Sequence, residues 1–419
     1  MLTTVNNLIE IKKCRICEGA ELFDVIDLGD QPIPNGFLSK KDLTKKEPRY
    51  PLIVCFCSNC SLLQLRYLVN PEVMFKNYLY IPSSSKTRVE HFRKLAESMN
   101  SIIKLDDKSL VIDIGSNDGS LLICFRNLGV RVLGIDPAEN LVKIAALNGI
   151  ETIRGYFDSK LALKTARRYG KAKIILSTNT IAHIPNLHEA LKGVSVLMGK
   201  EGIFVMQFPY VMDLLDKNLF DTIYHEHLSY FSLKSLLKLS EKSELEIFDI
   251  ERNDLDGGAI RVFWKRKAGT LNKVNKKNIN RILEEEKKYG LYEKKTYSKF
   301  ADRIKTLKIT FLQKISDLKK NKKKIVGYGA AAKANVLLNY FGLDTKTIDY
   351  IVDSTPYKQG LFTPGTHIPI YSEDKIYNTI PDYVLIFAWN FSKEIIQKNK
   401  KYKDNGGKFI LAEPKLQII

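Results

Sequence analysis

A chain of 419 residues is long enough for two or three domains, each with its own core. Its 44% hydrophobic and 27% charged residues are those of a soluble globular protein, and no apolar run is long enough to cross a bilayer. The net charge of +19 suggests a polyanion partner, but about fifteen of those charges lie between Lys265 and Lys324, where helical spacing puts lysines on one polar side. That stretch reads as a solvated helical connector rather than a nucleic-acid or membrane surface.

The N-terminal sequence MLTTVNNLIEIKKCRIC has no apolar stretch behind a basic start, so export is not expected and the cytoplasm is the default. Two C-x-x-C pairs follow, Cys14/Cys17 and Cys57/Cys60, about forty residues apart. In a reducing compartment this spacing favours four thiolates around a structural Zn²⁺ over disulfides, with all four coordination positions filled. A redox-active pair would need a thioredoxin-like pattern that is missing around either turn. Cys55 and Cys124 read as packing residues. Such a module could read nucleic acid, dock a partner or wall an active site.

From Ser109 the chain reads SLVIDIGSNDGSLLICFRNLGVRVLGIDPAEN: a strand over 110–114, a glycine loop from Gly115 to Gly119, a helix, and a second strand closed by Asp136. This is a βαβ unit with a ligand crevice at its strand ends. A dinucleotide loop would be G-x-G-x-x-G. Here the loop is G-x-x-x-G, preceded by Asp113 and containing Ser116, Asn117 and Asp118. Acidic groups there repel a pyrophosphate but suit the ammonium and sulfonium of S-adenosylmethionine, and Asp136 is placed to accept the ribose hydroxyls. A ligand-free turn is the alternative. Later strands deliver Asn179 and His183 (IILSTNTIAHIPNL), then Gln207 and Tyr210 (GIFVMQFPY).

The segment FDTIYHEHLSYFS concentrates Tyr224, His225, Glu226, His227 and Tyr230 in a chain with six histidines. It reads as a metal site, a proton-transfer site or a buried polar cluster. The two histidines stand two apart, unlike the i, i+4 pair of a zinc helix, and no third ligand is near in sequence, so metal binding is disfavoured.

After the lysine-rich connector the pattern restarts with KKIVGYGAAAKANVLLNY, a G-x-G-x-x-A loop from Gly327 to Ala332, and Asp353 at the expected distance. Alone, this loop argues for NAD and a dehydrogenase, or for a structural Rossmann-like half. Lys333 at the helix start and Lys358 in PYKQGLFTPG suggest phosphate contacts, and Asn390 ends a further strand near the same crevice.

Taken in order, the paired C-x-x-C, NYLYIPSSS, IDIGSNDGSLL, GIDPAEN, AHIP, FDTIYHEHLSYFS, DGGAIRV, GYGAAAKANVLLNY and DSTPYKQGLFTPGTHIPI resemble the deoxysugar C-methyltransferase family. The resemblance runs from about Cys14 to the end. It implies an α/β protein with a zinc module (1–75), a Rossmann-like class I methyltransferase domain (76–268), the basic helical connector (269–322) and a C-terminal Rossmann-like domain (323–419). It also implies S-adenosylmethionine as donor and a nucleotide-diphosphate-linked 4-keto-6-deoxy sugar as acceptor, methylated at carbon 3. No nucleic-acid or membrane partner is expected, and the sequence leaves the oligomeric state open, a monomer being one reading.

Residue by residue, the resemblance makes His227 the general base, with Tyr224, Glu226, His183 and Tyr78 positioning the sugar. Asp113, Gly115, Ser116, Asn117, Asp118, Gly119, Asp136, Pro137 and Asn179 would hold the donor. Tyr80, Lys333, Asn335, Asp353, Lys358, Gln359, Gly360 and Asn390 would grip the sugar nucleotide rather than NAD. The chain departs from the family pattern at Asp256-Gly257-Gly258-Ala259, where His-Gly-Gly-Ser is expected, and at Gln207, where an acid is expected. Both changes fall near the expected sugar pocket, so they bear on which sugar and which carbon react. The chemistry itself needs a base of near-neutral pKa beside a ketone, and donors aimed at the oxygen that gathers charge. The remaining rivals are an NAD-dependent sugar oxidoreductase and a zinc-containing RNA-binding methyltransferase.

Overall fold

The computed structural model describes residues 8–75, 78–269, 273–413 and 415–419. A seven-stranded sheet forms the centre. Five strands are parallel: Met198–Pro209, Ala172–Thr178, Leu110–Ile114, Arg131–Asp136 and Thr152–Arg154. Two antiparallel strands, Ala259–Arg266 and Leu245–Asn253, extend one edge. Leu110–Ile114 is buried along its whole length, as a strand covered on both faces must be. The chain leaves it for Arg131–Asp136 on one side and returns to Ala172–Thr178 on the other. The connections therefore part above its end, which opens a crevice over the loop at Gly115.

The C-terminal sheet repeats this logic, with Ile325–Tyr328 between the parallel strands Ile351–Val352 and Tyr383–Ile386. The N-terminal sheet is antiparallel: Leu22–Gln31, Tyr50–Cys57 and Leu63–Leu65. Its fourth strand is Ser229–Tyr230, contributed from the middle of the chain two residues after His227.

The lysine-rich stretch differs from the expected solvated connector. It folds into the helices Lys276–Tyr289 and Lys294–Lys320, which keep most lysines outward but bury Ile282, Tyr297, Phe300, Ile304 and Phe311. Tyr297 stacks on Phe56 of the N-terminal sheet at 4.2 Å, and Phe311 packs on Phe341 of the C-terminal unit at 5.2 Å. Buried Glu286 accepts from the Tyr210 hydroxyl at 2.6 Å and from the Leu233 N–H at 2.5 Å. These contacts join the N-terminal, central and C-terminal sheets through one shared apolar cluster, while further clusters cover the other faces of the central and C-terminal sheets. Among the described residues, no helix is long and apolar enough to cross a membrane.

Candidate active site

A cavity of about 570 Å³ lies where the three sheets meet. Its wall includes Asn35 from the N-terminal unit, the 115–117 loop, Asp136, Asn179, His183, Tyr224 and His227 from the centre, and Lys333, Lys358 and Asn390 from the C-terminal unit. A single space thus joins the two glycine loops, with the histidine cluster on its wall.

On the donor side, Gly115 has φ +75°, and a Cβ there would lie 2.1 Å from the Thr180 hydroxyl. Only glycine gives the backbone this conformation with Thr180 so close. Asp136 accepts from the Asn117 N–H at 2.9 Å and the Ala138 N–H at 2.8 Å, so each oxygen keeps a second lone pair at the cavity wall. Asp113 also lines the cavity, and its Oδ1 is buried with no partner among the described residues. Burial, then the neighbouring Asp136, raises its pKa well above the usual carboxylate range. An unsatisfied acceptor and a glycine cradle fit a polar, cationic ligand such as S-adenosylmethionine.

Ser116 and Pro137 join this wall, whereas Asp118 and Gly119 do not. The Asp118 carboxylate instead accepts from the N–H groups of Ser83 and Ser120. Gly119 starts the helix Ser120–Arg126, against Ile150. Their place in the loop is scaffolding rather than ligand contact. Segment 78–85 is tied over the loop by these bonds and by Asn117 Nδ2, which donates to the Tyr80 carbonyl at 3.0 Å.

The two histidines of the central segment separate. The segment is a turn, and His225 points away from the cavity, donating to the Tyr50 carbonyl at 3.1 Å. His227 lines the cavity and donates from Nδ1 to the Thr222 carbonyl at 2.7 Å, which fixes the tautomer and leaves Nε2 as a free base. Its ring lies 3.9 Å from that of Tyr224 and stacks on His183 at 5.0 Å. Burial lowers the His227 pKa to about 4, below the near-neutral value expected of the base, and burial with the neighbouring His227 holds that of His183 well below its ordinary value, so both are neutral at pH 7.

Glu226 does not line the cavity. It is fully buried and accepts from Asn35 Nδ2 at 2.7 Å and from the Tyr78 hydroxyl at 2.8 Å. Burial raises its pKa to about 7 despite these bonds. It therefore acts on the cavity through the orientation of Tyr78, which does line it.

Of the residues expected to grip the sugar nucleotide, Tyr80, Lys333, Lys358 and Asn390 line the cavity, but Asn335, Asp353, Gln359 and Gly360 do not. Asp353 accepts from the N–H groups of Ala330 and Thr355, at 2.7 and 2.8 Å. Gln359 donates to the Asp353 carbonyl, Asn335 donates to the Pro34 carbonyl, and Gly360 takes φ +83° in the same turn. The bonds of Asp353 and Gln359 build the loop, and that of Asn335 ties its helix to the N-terminal unit.

Asp256 replaces the expected histidine at the wall. Arg88 donates to both of its oxygens at 2.8 Å, and Asn390 donates at 3.3 Å. Against burial, which would raise it, Arg88 holds this carboxyl below its usual range. Gln207 lies outside the cavity wall and accepts from Arg261 at 3.0 Å and 3.2 Å.

The Sγ atoms of Cys14, Cys17, Cys57 and Cys60 lie within 4.8 Å of one another, with Cys14–Cys60 and Cys17–Cys57 both at 3.5 Å. Tetrahedral zinc with bonds of about 2.3 Å needs sulfurs about 3.8 Å apart, so this all-sulfur set fits the ion. Cys55 is buried in its strand, and burial pushes its thiol up to about 12, as a packing residue requires.

Three family models match the chain in sequence order: a zinc binding domain over 14–75, a methyltransferase domain over 88–249 and the C-methyltransferase C-terminal domain over 254–414. The C-methyltransferase NovU of Streptomyces niveus is 38% identical over 409 residues, covering 98% of this chain and 97% of that one. The chain belongs to the C-methyltransferase family.

Two solved structures are similar to part of this C-methyltransferase. The PH0226 protein of Pyrococcus horikoshii is 14% identical, with TM-score 0.35, covering 45% of this chain and 95% of its own. An S-adenosylmethionine-dependent methyltransferase of Clostridium acetobutylicum is 13% identical, with TM-score 0.35, covering 42% and 92%. The C-methyltransferase is S-adenosylmethionine-dependent and carries a structural zinc site.

Gly115→Ala is expected to raise the S-adenosylmethionine dissociation constant at least about 100-fold, since the new methyl collides with Thr180 in a backbone geometry that costs an L-residue about 1–2 kcal/mol in itself. Calorimetric titration of the donor reads this directly, and near-wild-type affinity would contradict the cradle. Sequence reasoning missed Arg88 and Asn35 in this C-methyltransferase. Arg88 follows the NYLYIPSSS segment by three residues, and Asn35 sits in a Pro-Asn-Gly turn, a geometry that presents a side chain.

Proposed function

We propose that this C-methyltransferase acts on a nucleotide-linked 4-keto-6-deoxy sugar and methylates carbon 3 through an enolate formed by His227. The observation that carries the reading is the unprotonated Nε2 of His227 on the wall of a cavity that joins both glycine loops. Lys333, Lys358 and Asn390 would hold the nucleotide diphosphate, leaving the sugar beside His227, Tyr224 and Tyr78.

Nε2 takes the proton from carbon 3, and the C–H electron pair becomes a carbon–carbon double bond as negative charge moves to the ketone oxygen. Tyr224 is a neutral phenol, its pKa raised well above normal by burial first and by Glu226 next, so it donates to that oxygen, while Tyr78, whose O–H is given to Glu226, shapes the sugar pocket. S-adenosylmethionine supplies an electrophilic methyl on a cationic sulfur. Carbon 3 takes this methyl as S-adenosylhomocysteine leaves, and the proton on His227 passes to solvent. Alignment of the two reactants in one cavity contributes much of the acceleration.

The reading extends to a cytoplasmic enzyme without nucleic-acid or membrane partners, divided at about residues 75, 268 and 322. Mass spectrometry of nucleotide-linked 4-keto-6-deoxy sugars incubated with S-adenosylmethionine tests it. A gain of one methyl, placed by NMR on carbon 3, is expected; a methyl on a hydroxyl would reject it. NADH titration should show no saturable binding at the C-terminal loop.

A further inference from the structure

Arg15 and Ile16 are the two residues between the first pair of cysteines, and both reach out of the knuckle to the segments that carry the histidines. Arg15 Nη1 donates to the carbonyls of Ile184 at 3.3 Å and Pro185 at 3.2 Å. These residues directly follow His183. Arg15 Nη2 donates to the Leu228 carbonyl and the Ser229 hydroxyl, which directly follow His227. His188 donates to the Ile16 carbonyl at 2.7 Å.

The Arg15 side chain is itself held, because its Nε donates to Oε1 of the fully buried Gln64 at 3.3 Å. Gln64 pairs with Ser229 across the adjoining strands. The Leu228 N–H donates to the Ala182 carbonyl at 3.0 Å, which closes a ring between the two loops. One guanidinium therefore fastens both loops to a turn whose shape is set by two cysteine ligands.

We infer that Arg15 is a positioning residue that couples the zinc knuckle to the spacing of His183 and His227. The planar guanidinium is suited to this because it presents five donors in a fixed fork, enough to satisfy four acceptors on two loops. The zinc site thus braces the active site from outside the cavity wall. An error of about 1 Å in the position of a proton-transfer group costs on the order of 100-fold in rate, so a brace of this kind acts on kcat without touching either substrate.

This inference rests on His227 as the base. Arg15→Gln is expected to keep full zinc content and donor and acceptor KM values within about twofold, yet to lower kcat about 10- to 100-fold. The imidazole ¹H–¹⁵N signals of His183 and His227 should move while that of His367, distant in the C-terminal unit, stays; removing zinc from the wild type should move the same two. Ser229→Ala deletes one acceptor with little risk to folding and should lower kcat about two- to tenfold. It decides the matter if Arg15→Gln does not fold. Wild-type kcat with unmoved signals in the zinc-loaded variants would overturn the brace. Full activity in His227→Asn would instead reject the base assignment, whatever Arg15 does.

Discussion

His227→Asn is expected to lower methyl transfer by about 10²- to 10⁴-fold while leaving donor binding intact. Asparagine keeps a donor that can reach the Thr222 carbonyl but has no nitrogen able to take a proton at neutral pH. His227 does not contribute to the donor cradle at 115–117, so a calorimetric titration with S-adenosylmethionine should be unchanged. The wild-type pH profile carries the complementary signature. Burial disfavours the imidazolium, so the base form persists as pH falls until about 4, rather than being lost near the ordinary 6.5. The activity governed by His227 is then present above about pH 4 and lost below it. Glu226, with a pKa raised to about 7 by burial, adds an inflection near neutrality that Glu226→Gln should remove.

Cys60→Ala is expected to have the largest effect on stability. Structural zinc sites contribute on the order of 10 kcal/mol of binding free energy, and much of this is folding free energy for the turns that hold the ion. Here those turns also anchor the strand that pairs with Ser229–Tyr230. The variant should lose its zinc, melt at a temperature lower by on the order of 10 °C or more, and fail to methylate. Metal analysis with calorimetry of the same sample checks this. A zinc-free variant with wild-type melting and turnover would mean that the four cysteines support neither fold nor site.

Local chemistry was readable wherever the signal was a short spacing. The two cysteine pairs, the strand–glycine-loop–helix at Gly115 and its counterpart at Gly327 all stand where their sequence patterns put them. The sequence did not reveal which lone pairs are already consumed. Asp118, Asp353, Asn335 and Gln359 have the right residue types at the right loops, yet Asp353 and Gln359 spend their hydrogen bonds on the loop itself, Asp118 on its loop and Ser83, and Asn335 on the Pro34 carbonyl of the N-terminal unit. The separation of His225 from His227 depends on a turn held by Thr222 and Tyr50, the latter 175 positions away from His225. Arg15 and Asn35 reach the central loops only through the fold of the N-terminal sheet, across 213 and 191 positions respectively. The lysine-rich stretch was legible as helix but not as core, because Tyr297, Phe300 and Phe311 find their partners on other sheets.

In the proposed reaction, His227 makes a carbanion beside a ketone before any alkyl group moves. Its most direct measurement is proton NMR of the nucleotide-linked 4-keto-6-deoxy sugar in D₂O with the enzyme and S-adenosylhomocysteine, which fills the donor cradle but has no methyl to give. Deuterium is expected to enter at carbon 3 with the wild type and not with His227→Asn. Retention of the carbon 3 proton by an enzyme that still methylates this sugar would contradict it.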